Sequence, residues 1–133
     1  MTTDRATLLA LADRVEAATG PDREMDAEIA FAVGWRKSRG EWWKPPGGEW
    51  GLVLPTFTAS LDAALSLVPE GWRWSVDFTQ RAPYQDCGRA DLYAPGSGYK
   101  PADVQDVYAA TPALALTAAA LRALAQEAPG DER

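Results

Sequence analysis

The chain contains no histidine and one cysteine, Cys87. The first absence removes the commonest general base near neutral pH and the commonest transition-metal ligand. A tetrahedral zinc site has too few Cys and His donors to form within one chain. A lone thiol cannot close an internal disulfide, which fits a reducing compartment. Without a histidine to deprotonate it, and with acidic neighbours that raise a thiol's pKa, Cys87 is not expected to be a nucleophile. Long apolar runs are also missing. The most apolar stretch, 107–121, contains Pro112 and two threonines and is too short to span a bilayer. The start Met1-Thr2-Thr3-Asp4-Arg5 lacks a signal peptide's basic and apolar regions. A cytoplasmic protein with no membrane partner is therefore expected. Positive charge is in deficit: the net charge is −6. Counterion release rewards basic surfaces, so duplex nucleic acid is disfavoured as a partner. Neither the phosphate-loop pattern nor the dinucleotide fingerprint occurs.

The 133 residues suit one domain that buries a core without metal or disulfides. At 47% hydrophobic and 24% charged, the composition is that of a folded globular chain rather than a disordered one. We assign 1–128 to one α+β domain and 129–133 to a frayed tail. Leu8, Leu11, Ala12, Val15 and Ala18 recur at helical spacing, with Gly20 as a left-handed cap. Pro21 then opens a second helix carrying Met25, Ile29, Ala32 and Val33, stopped by Gly34. Trp50 to Leu54 reads as a short edge strand. Thr58 or Ser60 caps a third helix, with Leu61, Ala64, Leu65 and Val68 as its buried stripe. Trp72, Trp74, Val76 and Phe78 alternate with Arg73, Ser75, Asp77 and Thr79, predicting a strand with one buried aromatic face. Residues 81–88 read as a loop, 89–94 as a second strand and 103–109 as a third. Thr111-Pro112 starts a final helix that runs to about Glu127, with Leu114, Ala118, Leu121 and Ala125 on one face.

Three phrases carry a family likeness: Asp-Ala-Glu-Ile-Ala-Phe-Ala-Val-Gly-Trp at 26–35, Thr-Ala-Ser-Leu-Asp-Ala-Ala-Leu-Ser-Leu-Val-Pro at 58–69, and Ala-Thr-Pro-Ala-Leu-Ala-Leu-Thr-Ala-Ala-Ala-Leu-Arg-Ala-Leu at 110–124. With the tryptophan-rich strand between the last two, the chain resembles the phage ABA sandwich domain family, small proteins of phages and prophages. The resemblance covers about 24–125 and rests on caps and alanine-rich helix faces. It implies helices on both faces of the sheet, a three-layer α/β/α sandwich, and it supplies no catalytic residues. The wetter face of strand 72–79 points instead to a sheet covered mainly on one side. The expected fold is α+β: a small antiparallel sheet of three to four strands with about four helices.

The least ordinary segment is 35–44. Trp35, Arg36, Arg39, Trp42, Trp43 and Lys44 interleave aromatics with cations, a composition that can stack a base and neutralise phosphate. Arg81 and Arg89 are added from the sheet as further candidates for the same anion site. The competing reading plugs these tryptophans into the core and leaves the charges in solvent. Asp77, Asp86 and Asp91 form a second candidate group, able to hold magnesium if a hairpin brings them together. The expected function is binding rather than catalysis: a phage or prophage accessory protein that takes a small anionic, nucleotide-type ligand or a host protein, to counter host defence. The alternatives are a carboxylate-dependent, metal-assisted enzyme on phosphate substrates and a structural or assembly protein. No cofactor is expected, and a homo-oligomer is left open. Elemental analysis of the purified protein should find no stoichiometric zinc. About one tightly held zinc per chain, with no ligands shared between chains, contradicts the donor count.

Overall fold

The computed structural model describes residues 4–51, 53–81, 84–96 and 98–128. The tail assigned to 129–133 lies outside them. Four helices, a three-stranded antiparallel sheet and a two-stranded hairpin make an α+β fold. None of the helices described is long and apolar enough to cross a membrane.

Each helix begins at a side-chain cap. In α1 (Arg5–Ala17) the Asp4 carboxylate accepts from the backbone N–H of Thr7. In α2 (Arg23–Ala32) the cap is Asp22, one residue after the proline expected to open the helix. Ala18, in extended conformation, ends α1, so Gly20 is not the left-handed cap. Gly34 does end α2, at φ 102°, where a side chain would be strained. Its N–H reaches Phe31 and that of Trp35 reaches Ala30, a Schellman pattern that turns the chain into the hairpin β1 (Arg36–Lys37) and β2 (Trp43–Lys44). Of the expected strand from Trp50 to Leu54, Gly51 makes a single bridge to Trp43, the other described residues make none, and residue 52 lies outside the described residues. Ser60 caps α3 (Leu61–Leu65), which buries Ala64 but leaves Leu61 exposed.

The sheet runs β3 (Arg73–Arg81), β4 (Tyr84–Tyr93) and β5 (Val104–Ala109), in that spatial order. Residues expected as loop, 84–88, thus belong to β4. Cross-strand pairs Phe78–Gly88–Ala109 and Val76–Ala90–Val107 share one face, and α4 (Pro112–Glu127) lies along it. Ala90 pairs with Val107 and Leu92 with Val104, so Asp91 faces both Gln105 and Asp106. This bulge returns Val104 and Val107, three residues apart, to the same buried side. Asp106 takes the left-handed φ of 60° that the bulge requires, and its N–H donates to the Asp91 carboxylate at 2.7 Å.

α1 and α3 flank α4, α2 packs on α1, and all four helices lie on one side of the sheet. The other side carries Arg73, Asp77, Arg89 and Asp106 and, among the described residues, no helix, so the described elements form two layers rather than a three-layer sandwich. Helix coverage is also narrow. α4 sits over β4 and β5, so Trp74 on β3 is 48% exposed and Phe78 68% exposed, against the expectation of a buried aromatic face.

α4 approaches closely because its inner face is small. Ala115, Ala118, Ala119, Ala120 and Ala123 are fully buried beside Leu114, Leu116 and Leu121. The tightest point is Gly88, where a Cβ would overlap the Thr111 carbonyl oxygen and the Pro112 backbone. Those atoms open α4 and cannot swing aside as a side chain can. Gly88→Ala should therefore cost more than about 2 kcal/mol, at the upper end for overpacking. Urea unfolding checks this, and an unchanged midpoint contradicts the close approach.

Candidate functional site

The hairpin register decides where the tryptophans go. Arg36 pairs with Lys44 and Lys37 with Trp43. The Ser38 N–H donates to the Trp42 carbonyl, and the Ser38 hydroxyl accepts from the N–H groups of Gly40 and Trp42, closing a three-residue loop, Arg39–Gly40–Glu41. Residues directly opposite share a face and neighbours alternate. Lys37 and Trp43 therefore lie on one face, and Arg36, Ser38, Trp42 and Lys44 on the other.

The first face points inward. Trp43 is buried, its ring centroid 5.2 Å from that of Phe31, with the Lys37 ammonium 5.7 Å from its ring. Its backbone exchanges two 2.7 Å hydrogen bonds with Gly51, which fixes the second arm of the segment. Trp35, placed by the α2 cap, is half-buried in an apolar groove with Pro46, Leu67, Val68 and Leu124. For Trp35 and Trp43 the core-plug reading describes the geometry.

The second face points outward. Trp42 is 49% exposed, Arg36 and Arg39 are exposed and Lys44 is half-buried. Among the described residues none of Arg36, Lys37, Arg39 or Lys44 enters a salt bridge, whereas Arg14, Arg23, Arg89 and Arg122 all do. On a chain of net charge −6, the hairpin thus concentrates cations without carboxylate partners around an open indole.

Arg89 is not brought to this surface, and the side chain of Arg81 lies outside what the structure describes. Gly88 and Ala90 face α4, so Arg89 between them points to the opposite, uncovered side. The hairpin lies on the helix side, where Trp35 meets Leu124 of α4. Arg81 ends β3 opposite Tyr84.

Arg89 instead centres a cluster of carboxylates. Its guanidinium lies 2.9 Å from Asp106, 3.4 Å from Asp91 and 4.0 Å from Asp77. The Asp91 charge, and then the Asp106 hydrogen bond, raise the Arg89 pKa above its ordinary value, while desolvation opposes them. Asp86 lies elsewhere, accepting from Gln80. The three carboxylates considered for magnesium therefore do not converge, and two of them are occupied by a permanent cation. Among the described residues no group of three Asp, Glu or Cys side chains is arranged to hold a metal.

Beside this cluster is an open cleft of about 680 Å³ lined by Tyr93, Tyr99, Lys100, Asp103 and Gln105. Asp103 fixes its rim, accepting from the N–H groups of Lys100 and Ala94 at 2.7 Å each. The Lys100 N–H is the main cause holding the Asp103 carboxyl below its ordinary pKa. Sequence reasoning missed this cleft because the bulge that assembles it has no local signature. Cys87 is fully buried.

No protein-family model matches the chain, and no curated protein or solved structure does so.

Opposite burial of adjacent tryptophans can be checked directly. Trp43→Ala should cost about 3–5 kcal/mol, the range for a buried aromatic. Trp42→Ala should cost less than about 1 kcal/mol, as for surface positions. Equal losses in denaturant unfolding contradict the assigned hairpin faces.

Proposed function

We propose that the chain is a non-catalytic binding protein whose basic hairpin takes a compact anionic ligand of nucleotide type. The observation that carries this reading is the outward face of Arg36, Trp42 and Lys44, with Arg39 at the tip and no carboxylate paired to any of them. An exposed indole offers stacking to any base, and guanidinium groups offer paired hydrogen bonds to phosphate oxygens. The remainder of the surface is acidic and repels a long polyanion, so a small di- or trianion is favoured over duplex DNA. The likeness to the phage ABA sandwich domain family suggests a biological setting. A phage or prophage accessory protein in the host cytoplasm would use such a site to sequester a nucleotide messenger of host defence.

The metal-assisted enzyme has less support, because Arg89 occupies two of the three carboxylates it needs and the third, Asp86, lies elsewhere. Calorimetry with mononucleotides, cyclic dinucleotides and a DNA duplex at physiological salt tests the proposal. At least one small nucleotide should bind in the micromolar range, more tightly than the duplex. Trp42→Ala should weaken that binding by about 1–3 kcal/mol, the loss of one stacked base. The double variant Arg36→Ala/Arg39→Ala should weaken it further, while Arg89→Met should leave it unchanged. No heat with any nucleotide, or an affinity indifferent to the hairpin variants, overturns the reading.

A further inference from the structure

β3 is an edge strand whose outer side pairs with nothing among the described residues. Exposed edges invite pairing with another chain, and monomeric proteins blunt them with lysines, prolines, bulges or charges along the strand. The described part of β3 has little of this protection. Its regular portion, 73–79, contains no proline or lysine, and its one carboxylate, Asp77, is tied to Arg89. The only irregularity comes after Thr79. On the helix side the same strand leaves Trp74 48% and Phe78 68% exposed, at the margin α4 does not reach.

We propose that β3 pairs antiparallel with β3 of a second copy about a two-fold axis at Val76, joining two three-stranded sheets into one of six strands. The strand is self-complementary in this register. The regular portion 73–79 has Val76 at its midpoint, so pairing ends where the irregularity begins. On the helix side Trp74 stands opposite Phe78 of the partner subunit, Val76 opposite its own counterpart, and Phe78 opposite the partner's Trp74. Aromatic pairs directly across strands are among the favourable ones. On the open side Ser75 stands opposite the partner's Asp77, and Arg73 lies diagonal to the same carboxylate, so charges of opposite sign approach twice. Neighbouring registers lack this match. Centring on Asp77 sets the two Asp77 carboxylates face to face and Arg73 against the partner's Arg81. Centring on Ser75 leaves Phe78 beyond the end of the partner's strand.

A second copy also covers what the first leaves exposed. An aromatic side chain buries about 150–250 Å². At the exposures above, the four rings of a dimer withdraw on the order of 400 Å², and the strand backbones add to it. That is short of the 1,200 Å² or more typical of tight complexes, so the expected association is reversible and in the micromolar range. The proposal does not rest on the reading of the hairpin, since no residue of 35–44 enters the pairing.

Sedimentation over a concentration series tests the proposal. The wild-type chain should approach twice its mass of 14.4 kDa at a few hundred micromolar and dissociate on dilution. Phe78→Glu, at a position too exposed to be needed for folding, should keep the native circular dichroism and raise the dissociation constant at least tenfold. Register is read by cross-linking. Directly opposed residues have Cα atoms about 4.5–5.5 Å apart, within disulfide reach. Val76→Cys should form an intermolecular disulfide under mild oxidation. Asp77→Cys should not, nor should wild type, whose Cys87 is buried. A wild-type chain still monomeric at a few hundred micromolar overturns the proposal. So does a dimer that tolerates Phe78→Glu and cross-links through Asp77→Cys instead of Val76→Cys.

Discussion

The close approach of α4 to the sheet at Gly88 is the constraint on which the other elements depend. It needs a glycine on one side and the first turn of an alanine-faced helix on the other. Once α4 is seated there, its remaining faces hold the rest of the helical layer. Arg122 reaches Asp13 and Glu16 of α1, and the Arg5 guanidinium donates to the Ala125 carbonyl. Glu127 accepts from the Trp72 indole, fixing the start of β3. Thr117 donates to the Phe57 carbonyl, while the adjacent Thr58 donates from both backbone and hydroxyl to the buried Asp26. That pair of contacts fastens α2 to α4 through one turn of chain. Each polar group taken from water here finds a partner, so the core keeps its polar content without a large desolvation cost.

A single central helix of this kind covers only two strands. This geometry explains the two surfaces that distinguish the molecule. On the helix side, β3 projects past the margin of α4, and its aromatics are left half in solvent. On the far side, where none of the described helices lies, the sheet carries Arg73 over Tyr93 and the Arg89 cluster. Fold and surface chemistry therefore share one cause: the width of the helical layer.

Local signals in the sequence were legible where the physics is local. Thr111-Pro112, Ser60 and Gly34 mark helix ends because caps act within a few residues, and each stands where the sequence placed it. Gly20 and Pro21 misled, since an extended Ala18 and the stronger cap at Asp22 took their roles. The alternation in 72–79 located β3 correctly but not its burial, which depends on how far a helix 40 residues away extends. β5 was harder to read because Val104 and Val107 break the period of two, and only the bulge at Asp91 reconciles them. Of the candidate site, composition marked the segment. It could not say that Trp42 and Trp43 point in opposite directions, since that follows from the Ser38 turn and the Gly51 bridge. Nor could it separate Arg89 from the hairpin, because the two lie on opposite sides of a sheet whose order the sequence did not reveal.

Charge placement supplies the link between the fold and the recognition proposed for it. A chain with 19 acidic and 13 basic residues can neutralise most of its cations internally, and several of its arginines are used in this way. The hairpin escapes this pairing because its tight turn contains only Glu41 and because Trp43 and Trp35 commit the inner face to the core. What remains outside is a small positive island within a negative field. The range of such an island is set by screening, about 8 Å at physiological ionic strength, so only charges held close to it are attracted. A ligand that extends much beyond that distance meets the acidic surroundings and loses what it gained. On the proposed binding reading, compactness of the ligand would follow from the protein's overall charge as much as from the shape of the hairpin.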